Sequence, residues 1–198
     1  MFTRYIKFLF LVFGFLIMVG CSTTTPLLGS SNIKYGDTNA VETVTNEFGS
    51  TDLKMLAESM TQSLIDTPIL SGRPIMTIAS VKNKTSEYID TKMITDSIRS
   101  KILKSGKIRF AVDTAAMQNQ TDELMRQNQS GLYKKSSASK LGRMEGAKYR
   151  LEGSISSIVK SSSKYKDVYY NLSLQLIDNE SGLIEWADEQ DIRKTTKR

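Results

Sequence analysis

The alternation of apolar and polar positions predicts secondary structure most clearly in the last third of the chain. Apolar side chains occupy every second position from Val168 to Leu176. This period of two is typical of a strand with one buried face. A turn-forming DNESG segment follows, and residues 183–192 predict a returning strand, so the two strands form an antiparallel hairpin.

Apolar residues spaced three or four positions apart predict helices before this hairpin. One helix covers residues 53–64. A second follows Asp90, presents isoleucines on one face and ends at Gly106, a common residue after a helix C-terminus. Weaker helical patterns cover residues 114–128 and 136–145.

Short apolar runs predict the remaining strands. Residues 75–81 and 107–113 are each predicted to form one, and a third is predicted to begin at Tyr149. Gly153 interrupts this third run, where a bulge or bend is expected. The order α, β, α, β, α, α, β, β, β indicates an α+β fold with a mixed sheet.

The segment before the first helix allows two interpretations. Val41, Val44 and Phe48 lie on one face if the segment is helical, whereas its threonine, valine and asparagine content favours an extended arm docked on the domain. We therefore predict an N-terminal arm over residues 35–52, ordered or not, and a globular interaction domain over residues 53–198.

The N-terminus has the pattern of a targeting signal. Arg4 and Lys7 precede an apolar run, Phe8 to Val19, that suits a signal peptide and is too short to span a bilayer. The segment Met18-Val19-Gly20-Cys21 resembles the bacterial lipoprotein signal. This resemblance implies removal of residues 1–20 and acylation of Cys21, for example with palmitate. The alternative is an ordinary secretory signal with an incidental cysteine.

A lipoprotein signal also has consequences for location. Ser22, where an aspartate would imply inner-membrane retention, implies delivery to the outer membrane, facing the periplasm. Residues 21–34 would then form the lipidated cysteine and a flexible tether. Fourteen residues span at most about 50 Å when extended and average roughly 20 Å as a coil, so this tether is short. An extracytoplasmic location argues against nucleic acid as a partner.

Composition limits the chemistry. The chain has 198 residues, no histidine and one cysteine, so neither a Ser-His-Asp triad nor a Cys-His pair exists. A zinc site would rely on carboxylates alone, and we expect no metal and no cofactor. A carboxylate hydrolase needs two convergent acids, whereas Asp90, Asp113 and Asp178 are expected to be scattered and solvated.

The positive charge suggests polyanionic partners. The formal net charge is +6, and it falls to +4 when Arg4 and Lys7 are removed with the signal peptide. The C-terminal RKTTKR segment, residues 193–198, is either a contact for anionic cell-wall polymer or lipid headgroups, or a frayed and solvated terminus.

Four stretches carry a family resemblance: RPIMTIASVKNKTSEYIDT (73–91), SGKIRF (105–110), GAKYRLEGSI (146–155) and LQLIDNESGLIEW (174–186). Their order, with the lipoprotein signal, resembles the LpoB family of penicillin-binding-protein activators over roughly residues 53–195. The resemblance implies a fold similar to the amino-terminal domain of TolB, with helices packed on a small mixed β-sheet that ends in an antiparallel hairpin.

The same resemblance implies a function without catalysis. It predicts an outer-membrane lipoprotein that binds the periplasmic domain of a class A penicillin-binding protein, a bifunctional peptidoglycan synthase, and stimulates it. No small-molecule substrate is implied. This chain departs from enterobacterial members because it lacks a long proline-rich linker. The alternative is a structural lipoprotein of a secretion or surface-appendage assembly, which would self-associate through residues 35–49.

The connection after the strand at 75–81 is the predicted partner-binding surface, since loops at strand ends often carry function. Its polar members are Lys82, Asn83, Lys84, Thr85 and Glu87. The alternative is a solvated loop in which Asn83 and Thr85 satisfy backbone groups.

Overall fold

A computed structural model describes residues 36–198, so the predicted signal peptide, Cys21 and the tether lie outside the described residues. Residues 39–198 form one compact unit. The elements, in chain order, are α1 (Ser50–Ile65), a 3-10 turn (Pro68–Leu70), β1 (Ile75–Lys84), α2 (Thr91–Ser105), β2 (Arg109–Phe110), α3 (Thr114–Gln129), β3 (Tyr149–Ser161), β4 (Tyr165–Asp178) and β5 (Ile184–Lys197).

The five strands form one sheet in the order β2-β1-β3-β4-β5. Strands β2 and β3 run parallel to β1, whereas β3, β4 and β5 pair antiparallel as two successive hairpins. The structure therefore confirms the α+β class, with helices on a small mixed sheet that ends in an antiparallel hairpin.

Helix α2 illustrates how local sequence sets the helix ends. The Asp90 carboxylate accepts the backbone N–H of Lys92 at 3.0 Å, so it caps the N-terminus. At the other end, Gly106 adopts a left-handed conformation with φ 70°, which glycine enters without steric penalty. Between these caps, Ile94 and Ile98 face the interior together with Ile102.

The core lies between one face of the sheet and helices α1 and α2. Strand β4 contributes the alternating residues predicted from its sequence, and β1 and β3 contribute further apolar side chains. The main buried side chains are Leu56, Met60, Leu64, Met76, Ile78, Ile94, Ile98, Ile102, Leu151, Ile155, Val168, Tyr170, Leu172, Leu174 and Leu176. All of them lie within residues 39–198, so residues 35–198 keep the whole described core, as expected of a domain that folds on its own.

Three sequence expectations are corrected by the structure. Residues 136–145 form turns and irregular chain rather than a helix, and they are almost entirely exposed, because no core surface lies beneath them. The strand expected over 107–113 is reduced to Arg109–Phe110. The C-terminal segment is not frayed, because β5 pairs with β4 up to the Tyr165–Lys197 pair.

Helix α3 differs from the other two helices. None of its described side chains is fully buried. Its N-terminus is capped by Asp113, whose carboxylate accepts the N–H of Ala116 at 2.9 Å. Within residues 36–198, no helix has the length and apolar character needed to cross a membrane.

Candidate functional site: the loop after strand β1

The predicted partner-binding residues lie at one end of the sheet. Lys82, Asn83 and Lys84 are the last residues of β1, and Thr85 and Glu87 lie in the connection to α2. We refer to residues 82–88 as the β1–α2 loop. The structure brings these residues together and divides them into a hydrogen-bonded group and an outward-facing group.

Asn83 and Thr85 hold the β1–α2 loop in shape. The Asn83 amide Nδ2 donates to the carbonyl oxygen of Glu87 at 2.8 Å, and its Oδ1 accepts the N–H of Thr85 at 2.9 Å. The Thr85 hydroxyl donates to Asn83 Oδ1 at 2.8 Å and accepts the N–H of Glu87 at 3.2 Å. These bonds satisfy backbone groups that regular structure leaves unpaired, so the loop has a defined conformation.

Glu87 joins the loop to two distant parts of the chain. Its Oε1 accepts the hydroxyl of Tyr170 in β4 at 2.6 Å, and its Oε2 accepts the N–H of Phe48 at 3.0 Å. Tyr170 is fully buried. Burial, followed by the hydrogen bond to Glu87, raises the pKa of Tyr170 well above its usual range. The hydroxyl therefore stays protonated and donates to the carboxylate.

The arm before α1 is attached to the domain at this point. Asn46 is buried, its carbonyl oxygen lies 3.3 Å from the Tyr170 hydroxyl, and its Nδ2 lies 3.5 Å from Lys166 O. The ring of Phe48 packs edge-on against Tyr170, with centroids 5.6 Å apart. Residues 36–45 are exposed and irregular.

A buried ion pair reinforces the same attachment. The Lys194 ammonium donates to Asp52 Oδ2 at 2.8 Å and to the carbonyl oxygen of Glu47 at 2.6 Å. The Lys194 and Asp52 side chains are only 17% and 6% exposed. From the sequence, Lys194 was placed in a C-terminal segment that was either a contact for anionic polymer or lipid headgroups or a frayed and solvated terminus. The sequence did contain a signal for its burial. Lys194 follows Trp186 and Ile192 at even spacings, so all three side chains lie on the half-buried face of β5.

Lys194→Ala is expected to lower the free energy of unfolding by about 2 kcal/mol, because the substitution leaves the Asp52 carboxylate buried without its cation. Urea denaturation followed by circular dichroism measures this change. Lys197→Ala is the matched control, since Lys197 lies in the same strand and is exposed. Equal, near-zero effects for both variants would contradict the structural role of the pair.

The outward-facing group consists of Lys82, Lys84 and Tyr88. Neither lysine lies within ion-pair distance of a carboxylate in the part of the chain that the structure describes. Tyr88 is 93% exposed. Sequence reasoning did not select Tyr88, although an aromatic residue in a polar connection between a buried strand and a capped helix was a usable signal.

A groove of about 630 Å³ lies beside β1, between α2 and the start of α3. Most of its charged groups pair with one another: Asp96 binds Lys92 and Arg99, and Arg99 Nη2 lies 3.8 Å from Asp113. Arg150 also lines the groove and pairs with Glu152. The hydrogen bond from Lys92, with support from Arg99, holds the pKa of Asp96 below its usual value. The groove charges thus stabilise one another.

The three acids considered for hydrolysis have separate local roles. Asp90 and Asp113 cap α2 and α3. Asp178 is 8% exposed rather than solvated, because its Oδ1 accepts the N–H groups of Glu180 and Ser181 at 2.9 Å in the β4–β5 turn. These backbone bonds hold its pKa below the usual value. All three carboxylates therefore stabilise turns or helix ends.

Comparisons with known proteins agree with the sequence resemblance. A family model described as "Peptidoglycan-synthase activator LpoB" matches residues 52–192. No curated protein matches the chain significantly.

Solved structures with similarity to this chain include two LpoB C-terminal domains and one lipoprotein. The LpoB C-terminal domain from Escherichia coli is 20% identical, with a TM-score of 0.47 over 71% of this chain and 98% of that chain. The corresponding domain from Salmonella enterica is 18% identical, with a TM-score of 0.44 over the same shares. Lipoprotein GNA1162 from Neisseria meningitidis is 14% identical, with a TM-score of 0.39 over 62% and 84%.

Proposed function

The chain belongs to the LpoB family of peptidoglycan-synthase activators, and from this premise we propose that it binds and stimulates a class A penicillin-binding protein. The observation that carries this proposal is the match of the family model to residues 52–192, which include the β1–α2 loop and nearly all of the compact unit. The family is one of activators rather than catalysts, so the proposed role is non-enzymatic.

The proposed mechanism is selective binding. The domain would bind the active conformation of the synthase more tightly than the inactive one and so increase its population. The size of the stimulation is limited by the ratio of these two affinities. No side chain of the activator takes part in bond making or breaking under this proposal.

The proposed contact surface is the β1–α2 loop. Lys82, Lys84 and Tyr88 would contact the synthase, while Asn83, Thr85 and Glu87 fix the loop that presents them. Tyrosine is enriched among residues that dominate binding energy. A loop already fixed by its own hydrogen bonds loses little conformational entropy on binding. Both features favour this loop as the interface.

The proposed location is the outer membrane, with Cys21 as the lipid attachment point. Support comes from the lipoprotein signal and from Ser22 after the cysteine. The short tether restricts how far the domain extends from that membrane. A synthase whose periplasmic part itself extends far from the inner membrane is the partner most compatible with this limit.

Tyr88→Ala is expected to weaken binding to the synthase roughly 30-fold, the loss typical of an interface anchor, without changing the melting temperature. Affinity is measured between residues 35–198 and the purified periplasmic part of a class A synthase. Glycan-polymerisation assays measure the loss of stimulation in parallel.

Leu132→Ala is the control for this experiment, because Leu132 is also strongly exposed, at 80%, and lies outside the loop. Wild-type affinity for the Tyr88 variant would place the interface elsewhere. Absence of binding and stimulation by the wild-type chain, with self-association in light scattering, would instead favour a structural assembly.

A further inference from the structure

The turn between β3 and β4 meets the end of β5 at one end of the sheet. Lys197 is directly opposite Tyr165, and the N–H of Arg198 donates to Lys164 O at 2.8 Å. Lys160 lies opposite Asp167 in the neighbouring hairpin strand. We define the basic tip as Lys160, Lys164, Lys197 and Arg198.

The basic tip carries an excess of positive charge. Asp167 lies beside it, but this carboxylate is already bound by Arg193 at 2.8 Å and by the hydroxyl of Thr195 at 2.7 Å. Arg193 foremost, with Thr195 and a smaller contribution from the charge of Lys160, holds the pKa of Asp167 below its usual value. Among residues 36–198, no carboxylate lies within ion-pair distance of the four basic-tip side chains.

Apolar side chains are exposed beside these cations. Ile158 is 59% exposed, Tyr165 is 48% exposed and Val159 is 44% exposed. The strand register places Ile158 and Tyr165 on the sheet face that carries Lys160 and Lys197, away from α1 and α2, whereas Val159, opposite the buried Val168, lies on the other face. The surface therefore combines lysine charge with an apolar and aromatic patch.

We propose that the basic tip docks on an anionic phospholipid bilayer. Lysines near such a surface are attracted by its negative potential, and tyrosine is enriched where a protein meets the membrane–water interface. A soluble polyanion would engage the cations alone, because it offers no apolar phase for Ile158 and Tyr165. A bilayer accommodates both parts of the surface.

The arm provides a connection between this surface and the N-terminus. Asn46 contacts Lys166, and Glu47 contacts Lys194, so the arm lies against the same end of β4 and β5. A lipid chain combined with a polybasic patch gives more stable membrane attachment than either alone. The basic tip would supplement a lipid at Cys21, but it does not depend on that lipid or on synthase binding.

Sedimentation with vesicles tests the proposal with residues 35–198, which lack Cys21. The chain is expected to bind vesicles of equimolar phosphatidylcholine and phosphatidylglycerol, and not vesicles of phosphatidylcholine alone. Replacing two cations, Lys164→Gln with Lys197→Gln, is expected to weaken binding roughly 25-fold, because each lysine near the surface contributes about fivefold. Added salt should weaken wild-type binding by screening.

Two further variants identify the surface. Lys134→Gln with Lys135→Gln removes the same charge from the exposed chain after α3 and should leave binding unchanged. Tyr165→Ser should reduce vesicle binding without changing its salt dependence. Any of four results would overturn the proposal. Two concern the vesicles: equal binding to both vesicle types, or binding to polyphosphate without binding to vesicles. The other two concern the variants: equal losses of binding in the two lysine pairs, or no effect of Tyr165→Ser. Circular dichroism verifies folding of each variant.

Discussion

Gly153→Ala is expected to lower the free energy of unfolding by at least about 3 kcal/mol, the upper range for forcing atoms into a packed interior. A β-carbon at residue 153 would lie 2.0 Å from the carbonyl oxygen of Ser173. It would also lie 2.7 Å from Leu174 Cδ2 and 3.0 Å from Leu174 Cα. Since two of these atoms belong to the backbone of the neighbouring strand, a side-chain rotation cannot relieve the clash.

The position of Gly153 explains why the sheet cannot easily adjust. It pairs with Leu174 in β4 on one side and with Val81 in β1 on the other. The β1–β3 register shifts between Ile78 and Val81, so β1 contains an irregularity immediately before this pair. Displacing β3 would disturb both neighbours, including the strand that leads into the β1–α2 loop.

Urea denaturation of residues 35–198, followed by circular dichroism, measures the Gly153 effect. Gly146→Ala is the matched control, because no atom lies within 4 Å of a β-carbon placed there. That control is expected to remain within about 0.5 kcal/mol of the wild-type protein. A loss below about 1 kcal/mol for Gly153→Ala would mean that β3 and β4 are farther apart than the structure indicates.

The sequence was sufficient to predict those helices and strands in which the apolar pattern of one segment determines which side chains are buried. The alternation from Val168 to Leu176 identified β4, because every second side chain faces the helices. The isoleucine spacing and Gly106 identified α2 in the same way. Gly153 was predicted to mark a bulge or bend, and the register shift in β1 lies directly opposite.

The remaining features depend on partners distant in sequence. Residues 136–145 have a helical pattern, but a short helix needs a surface to pack against, and the fold provides none there. The role of Lys194 depends on Asp52, which lies 142 positions earlier. From the sequence, Glu87 was predicted only as a polar residue of a loop, because Phe48 and Tyr170 approach it only in the folded chain.

Glu87→Ala is expected to lower the free energy of unfolding by about 3 kcal/mol, because the substitution removes two charge-assisted hydrogen bonds in a largely buried setting. The Tyr170 hydroxyl would retain only its longer contact with Asn46 O. The N–H of Phe48 would lose its acceptor. We expect the arm to detach locally, seen as faster amide hydrogen exchange at residues 46–48.

A double-mutant cycle separates the Glu87–Tyr170 hydrogen bond from other effects of the substitution. Tyr170→Phe alone is expected to destabilise by about 1.5 kcal/mol, because Glu87 keeps its bond to Phe48. The double variant should lose less than the sum of the single losses by about 1 kcal/mol or more, since both remove one shared bond. Additive losses would show that the residues act independently.

Because Glu87 fixes the β1–α2 loop, the Glu87→Ala variant should also bind the synthase more weakly, although Tyr88 is unchanged in it.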